Sequence, residues 1–358
     1  MPGNKRQSIN KKLHIELLRI ISIILVLFNH TGTKGFVFFT VAKESKIYWF
    51  YMFMAIAIKV AVPLFLMISG ALLLGKNEAL KEILQKRVLK FLLVMLAGSL
   101  CVYVHKVLDG SIAVFSLKDL GERLYIGNVT SAYWYFYAYT AFLLLLPFLR
   151  KMCQNMSNRE FEYMIWLYLL MQIFEVLQLY ALIGLHFNEN FAFFITEKII
   201  FYPMLGYYVE NRLKESAYSG KKLWMLTGIS FLVICLCCLM TQRYCVLFDR
   251  WDEVGCQKYF QMLIFIPAVT LYMISKVCFM KYKVAGWVEH IIVIAGSCSF
   301  GIFLLERIYR AETQWIYEKL CTRIHPYAAC VMWIGCAWLF GCAVTVVLKR
   351  IPVIKRYV

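Results

Sequence analysis

This chain is short of charge: 17% of its 358 residues are Asp, Glu, Lys or Arg, against 61% hydrophobic and 16% aromatic. So little charge over so long a chain excludes both a soluble globular domain and a disordered chain, since neither can keep that much apolar side chain in water. Mean hydropathy is +0.65. Also missing are a Walker-type glycine loop, a dinucleotide fingerprint, a low-complexity tract and any connection with the composition of a soluble appendage. Acidic residues are few as well, 21 against 39 Lys and Arg. Cysteines are not scarce, but Cys101, Cys235, Cys237, Cys238, Cys330, Cys336 and Cys342 fall inside apolar runs, where a thiol behaves as a small hydrophobe. No Cys/His spacing of a zinc site appears, so no metal is expected and no disulfide framework either, although Cys245 and Cys256 flank one loop and are placed to pair.

What is present is length of apolar sequence. Stretches of roughly 20 residues lie near 13–32, 48–74, 88–107, 131–149, 162–184, 191–210, 223–241, 259–279, 287–309 and 327–348. They predict an all-α, polytopic integral membrane helix bundle of about ten transmembrane helices, a single domain over residues 1–358. Lys5, Arg6, Lys11 and Lys12 precede the first stretch as they would a signal peptide, yet no small-residue cleavage site follows His30, so it is expected to be a retained span. With the N-terminus inside, the inner segments hold 23 Lys and Arg and the outer segments 12. That bias follows the positive-inside rule and predicts that both termini are cytoplasmic. The net charge of +18 is thereby explained by topology, and no nucleic-acid partner is expected.

Function is then sought among polar residues inside spans, which are costly in lipid and usually functional or paired. Arg19 and His30 share the first span. Eleven residues apart, they come within about 20° of each other around a helix and roughly 16 Å apart along it. A cation near one surface with an imidazole deeper on the same face suits a long substrate with a phosphate head and a reactive end to be delivered into the bilayer. His30 is either an interfacial histidine in water or a general base or nucleophile. Arg19 is either a snorkelling cation or a phosphate ligand, and Glu16, three residues earlier, can brace it. Lys59 lies well inside the second span ahead of Pro63, which should kink that helix, and is expected to line a cavity or take part in function. Glu306 near the end of the ninth span either pairs with Arg307 or Arg310 or has a functional role. Glu175 in the fifth span has the same two options, with Lys59, Lys198 or a backbone donor as pairing partner. Tyr133, Trp134, Tyr135, Phe136 and Tyr137 make either an aromatic belt or a platform for stacking sugars.

Taken in order, these segments resemble the acyltransferase-3 family of bacterial membrane acyltransferases. Arg19 and His30 look like its Arg, ten residues, His signature. Val62-Pro63-Leu64-Phe65-Leu66-Met67-Ile68-Ser69-Gly70 is similar to its Val-Pro-Leu-Phe-Phe-Met-Ile-Ser-Gly segment, and Lys86-Arg87-Val88-Leu89-Lys90 to the basic entry of its third helix. Trp134, Tyr137, Leu145 to Arg150, Tyr202 to Gly206 and Ser299 to Leu304 match later landmarks, so the resemblance covers nearly the whole chain. The chain departs from the pattern at Tyr133 and Glu306, where members often have His, and at Lys59, where they often have Arg, a change that keeps the charge but loses the bidentate fork.

The resemblance implies transfer of an acyl group, most often acetyl, from cytoplasmic acyl-coenzyme A to a hydroxyl of a sugar or other envelope acceptor, in the plasma membrane of a bacterium. No permanently bound cofactor is needed. Arg19, Arg87 and Lys90 would bind the phosphates of the donor, while His30 deprotonates the acceptor or carries the acyl group. Lys59 would stabilise the oxyanion, Glu306 would orient His30 or the acceptor, and Trp134 and Tyr137 would hold the acceptor sugar. The alternative is a transporter of an envelope precursor or small anion, which would predict paired repeats with interrupted helices. No convincing self-similarity joins the halves of the sequence. A purely structural or sensory protein would leave Lys59 unexplained.

Overall fold

The structure is a computed structural model that describes residues 3–127, 129–181, 193–214 and 218–351. Among these it is all-helical, without a strand: α1 (Gly3–Asn29), α2 (Tyr48–Ala57), α3 (Ala61–Leu73), α4 (Leu80–Glu82), α5 (Lys90–Leu108), α6 (Leu117–Ile126), α7 (Trp134–Asn155), α8 (Asn158–Ala181), α9 (Lys198–Asn211), α10 (Gly220–Phe248), α11 (Phe265–Lys281), α12 (Gly286–Leu304), α13 (Glu306–Glu312), α14 (Gln314–Cys321) and α15 (Pro326–Leu348). Six helical segments among the described residues are long and apolar enough to cross a membrane: Tyr48–Leu73, Leu80–Leu108, Ser131–Asn155, Gly220–Phe248, Gly286–Leu304 and Pro326–Leu348. Large apolar side chains stand exposed along them, Leu232 at 66% and Leu239 at 60% on α10 among them, as lipid-facing helices require. The other four apolar stretches fall on α1, α8, α9 and α11, of which α9 has 14 residues and α11 has 17. Every residue of α9 from Ile200 to Val209 is buried, so protein rather than lipid surrounds it.

The chain forms two compact units, Met1–Lys76 with Leu149–Gly296, and Asn77–Phe148 with Ser297–Val358. In the first unit the break between α2 and α3 has a local cause. Pro63 lacks the N–H that would bond the Lys59 carbonyl, and the chain tightens into a 3₁₀ turn over Ile58–Val60 before α3 begins. Beyond the break α3 crosses α9 at backbone contact. A Cβ on Gly70 would lie 1.8 Å from the Pro203 carbonyl oxygen, and one on Gly206 would lie 2.0 Å from that of Met67. Only glycine permits such an approach. Arg150 is buried and its Nε donates to the carbonyl of Leu73 at 2.9 Å, while Gln154 Nε2 donates to Leu74 at 3.1 Å. Two carbonyls at the C-terminal end of α3 thus gain donors that the helix cannot supply itself.

In the second unit α5 is entered through a π-helical segment, Ile83–Leu89. A helical kernel of Phe91, Phe136 and Phe303 packs edge to face, with Phe136 and Phe303 ring centroids 5.0 Å apart. Short α6 is amphipathic: Ser116 caps it by accepting from Asp119 N, Leu120 is buried, and Leu117 and Ile126 are exposed at 74% and 75%. Such a helix suits an interface plane. At its N-terminal end the Asp119 carboxyl is held below the usual carboxylate range by Arg123 and by Tyr103, both of which donate to it.

Candidate active site

Helix α1 runs unbroken from before Arg19 to Asn29, and His30 opens the turn that ends it. Two residues fix that turn. Thr31 Oγ1 donates to the Phe28 carbonyl at 2.7 Å and accepts from Phe36 N at 2.9 Å. Gly32 has φ +55°, and a Cβ there would come within 2.9 Å of Glu253 Oε2, so the chain reverses where a side chain could not follow. His30 is half-buried at this corner. At the other end Arg19, also half-buried, donates through Nη1 to Glu16 Oε1 at 2.7 Å, which is the brace expected from their spacing. Between them Ser22 Oγ and Asn29 Oδ1 are buried and meet no hydrogen-bond partner among the described residues. On a helix both fall within about 80° of Arg19. A polar stripe therefore runs from Arg19 to His30, and its two middle members have hydrogen-bonding capacity to offer a ligand.

Lys59 stands in the 3₁₀ turn that packs on α1. Its Nζ donates to Gln257 Oε1 at 2.8 Å and sits 4.5 Å from the centroid of Phe36 and 6.0 Å from that of Phe260. Phe36 is the residue tied back to Thr31, so the loop that shapes the His30 corner also covers the Lys59 ammonium. Lys198 lies near, with its Nζ donating to Gln261 Oε1. Sequence reasoning did not find Gln257 and Gln261. A neutral glutamine, in a loop as Gln257 is or at the edge of an apolar stretch as Gln261 is, carries no signal until the fold brings it to a cation.

The remaining expected residues belong to the second unit. Arg87 lies in the π-helical segment and grips Glu78, Nε to Oε2 at 2.7 Å and Nη2 to Oε1 at 2.5 Å. Lys90, half-buried, starts α5 just after it. Tyr137 donates to the Leu124 carbonyl at 2.5 Å and lies over Gly127, holding the end of α6, while Trp134 is 54% exposed. Tyr133 is buried and donates to the carbonyl of Leu304 at the end of α12 at 2.5 Å. Glu306 is buried and receives both Nε of Arg310 at 2.6 Å and its Nη2 at 3.4 Å. Of the two pairing partners considered for Glu306, the structure places Arg310. The Glu175 side chain is outside the described residues.

A second polar group of the first unit went unnoticed in the sequence. His14 Nε2 contacts Glu210 Oε2 at 3.2 Å, Tyr272 donates to the same oxygen at 3.2 Å, and Lys276 Nζ lies 3.4 Å from it. Lys276 also donates to the carbonyls of Val209 and Glu210 and to Tyr218, at 3.2, 3.0 and 2.8 Å. His14, Tyr218, Tyr272 and Lys276 are buried around a half-buried Glu210, and the cluster ties α1, α9 and α11 together. Cys245 and Cys256 are free and buried thiols, as are the other described cysteines free, and burial pushes the Cys256 thiol up to about 12. Among the described residues no group of three or more His, Cys, Asp or Glu is arranged to hold a metal.

The profile of the acyltransferase-3 family, described as an acyltransferase domain, matches residues 13–347. The chain belongs to the acyltransferase-3 family. It is a multi-pass membrane acyltransferase, and the residues that carried the resemblance now have physical roles: Pro63 sets the break that positions Lys59, and Gly70 and Gly206 let α3 and α9 meet. Comparison with curated proteins and with solved structures returned no match.

Proposed function

We propose that this family member moves an acyl group, acetyl in the simplest case, from cytoplasmic acyl-coenzyme A to a hydroxyl of a cell-envelope glycan or related acceptor, in a bacterial plasma membrane. The observation that carries this is the polar stripe of α1, with Arg19 at one end, His30 at the other and the buried Ser22 and Asn29 oxygens between. Its length, roughly 16 Å by helix geometry, suits the arm of coenzyme A, which separates phosphates from a thioester. Arg19 takes the phosphates; in the second unit the π-helical turn that carries Arg87, with Lys90 just after it, is a type of distortion frequent at functional sites. The acceptor stacks on Trp134 and Tyr137.

At the thioester, His30 takes the proton of the acceptor hydroxyl as its oxygen attacks the carbonyl carbon. The negative charge that develops on the carbonyl oxygen is met by the Lys59 ammonium. Collapse breaks the carbon–sulfur bond, the thiolate leaves and takes a proton, and the ester remains on the acceptor. A variant of the same chemistry has the imidazole accept the acyl group first and hand it on. Glu306 orients the acceptor through the carboxylate that Arg310 holds.

The test is acetyl-coenzyme A turnover by purified full-length protein. Wild type should hydrolyse or transfer the acetyl group, and His30→Ala should lose at least the ~10²- to 10⁴-fold typical of a general base while melting at the same temperature. Near-normal turnover in the variant would overturn the assignment of His30. Absence of any turnover in wild type, with transport of a labelled sugar precursor instead, would replace the enzyme with a carrier.

A further inference from the structure

Gln257 has no part in the transfer step described above, yet it holds the Lys59 ammonium. It ends a short turn, Gly255–Gln257, in which Asp252 Oδ1 accepts from Gly255 N at 2.7 Å and the Val254 carbonyl accepts from Gln257 N at 3.2 Å. The direction of its amide follows from its two partners. An ammonium can only donate and a backbone carbonyl can only accept, so Oε1 faces Lys59 Nζ at 2.8 Å and Nε2 donates to the Glu253 carbonyl at 2.6 Å. Turning the amide over would break both bonds. Two buried rings also meet the ammonium, Phe36 with its centroid 4.5 Å from Nζ and Phe260 with its centroid 6.0 Å away, and the rings pack edge to face at 5.9 Å. Phe36 is in turn bonded to the His30 turn through Thr31, so the holder of Lys59 and the base share one corner of the fold. An amide oxygen and an aromatic face both attract a cation and leave its formal charge in place, whereas a carboxylate at the same distance would cancel it. Lys276 in the same unit shows the other arrangement: it holds the fold, and the Glu210 carboxylate lies 3.4 Å from its Nζ.

We propose that Gln257 is a positioning residue: it aims the Lys59 ammonium at the thioester carbonyl oxygen and, being neutral, leaves that charge for the oxyanion that forms there. This rests on the acyl-transfer function above and on Lys59 as its oxyanion group.

The test is acetyl-coenzyme A turnover by purified full-length protein, measured with the melting temperature for wild type, Lys59→Met, Gln257→Glu, Gln257→Met and the double variant Lys59→Met/Gln257→Glu. Lys59→Met should lower kcat by roughly 10²- to 10³-fold, as loss of one oxyanion donor does. Gln257→Glu keeps the length of the side chain and cancels the charge, so kcat should fall by about tenfold or more while the KM for acetyl-coenzyme A stays within about twofold of wild type. Gln257→Met keeps the charge and loses only the aim, for a smaller loss of about three- to tenfold, and it carries the test alone if Gln257→Glu does not fold. In the Lys59→Met background Gln257→Glu should change nothing further, because its effect passes through Lys59. A turn damaged by losing its bond to the Glu253 carbonyl would instead lower turnover in both backgrounds. That result overturns the inference, as does a KM that rises in step with the fall in kcat. If Lys59→Met is impaired and both Gln257 variants turn over within about twofold of wild type, the inference fails and the role of Lys59 stands. Normal turnover in Lys59→Met removes Lys59 from the oxyanion and Gln257 with it, and absence of turnover in wild type overturns the transfer function itself.

Discussion

Arg19 and His30 are the same two residues whose spacing set them apart in the sequence, and the structure adds what surrounds each. Glu16 holds the Arg19 guanidinium through a single bond from Nη1, which leaves other donors of its fork for a phosphate. Arg19→Ala should therefore raise the Michaelis constant for acetyl-coenzyme A by about tenfold, the value of one charge-assisted contact, with a smaller effect on acceptor affinity. Equal loss for donor and acceptor would remove Arg19 from the donor site. Glu210 makes the contrasting case, a charged residue whose work is to hold the fold. It accepts from Tyr272 and contacts His14 and Lys276 in a buried setting. Glu210→Gln leaves the Lys276 ammonium without its counter-charge and should cost about 3 kcal/mol, as removal of one partner of a buried pair does. Adding Lys276→Met should return most of that loss, because the uncompensated charge goes with it. Melting temperatures of the single and double variants decide the matter, and a double variant no more stable than the single would show that the cluster acts through packing.

At the scale of elements, hydropathy located the helices because an apolar run in lipid has few structural options. What it could not convey was the interruption of those helices. The break over Ile58–Val60 was foreshadowed by Pro63, whereas the π-helical stretch over Ile83–Leu89 has no comparable marker in its sequence. The site was legible in part for the same reason. Arg19, His30 and Lys59 are visible because a charge in an apolar run stands out; Gln257, Gln261, His14 and Glu210 gain meaning only from what the fold sets against them. Lys276 and Arg150, counted as charges of inner loops, are buried against helix ends and neighbouring carboxylates or carbonyls. Gly70 and Gly206 carry the crossing of α3 and α9. Gly70→Ala or Gly206→Ala places a methyl group inside 2.0 Å of opposing backbone, and since backbone cannot rotate away, each should exceed the ~1–3 kcal/mol of ordinary overpacking. Gly335→Ala in α15 is the control, for a Cβ there meets nothing within 4 Å and the helix should gain about 0.5–1 kcal/mol. Similar stability for Gly70→Ala and Gly335→Ala would show that the helices separate freely at that crossing.

For the whole molecule, the pattern of charge bears on how the helices are threaded. The excess of 23 inner over 12 outer Lys and Arg includes Lys276 and Arg150, which are buried in helices; without these two it is still 21 to 12. Orientation responds to the cations near span ends, so both termini are proposed to be cytoplasmic, with ten crossings, the six long apolar helices joined by α1, α8, α9 and α11. An even number of crossings is what places the two ends on one side. Green fluorescent protein fused to the C-terminus should then fluoresce, and alkaline phosphatase fused there should be inactive. Phosphatase inserted between Ile112 and Ala113, in the connection between α5 and α6, should be active because this connection faces outward. The reverse pattern would invert the molecule and put Arg19 on the side without acyl-coenzyme A, which would end the donor assignment as well. A fluorescent C-terminus with an inactive phosphatase at Ile112 would keep the termini and remove the outer placement of that connection, leaving an arrangement with fewer than ten crossings.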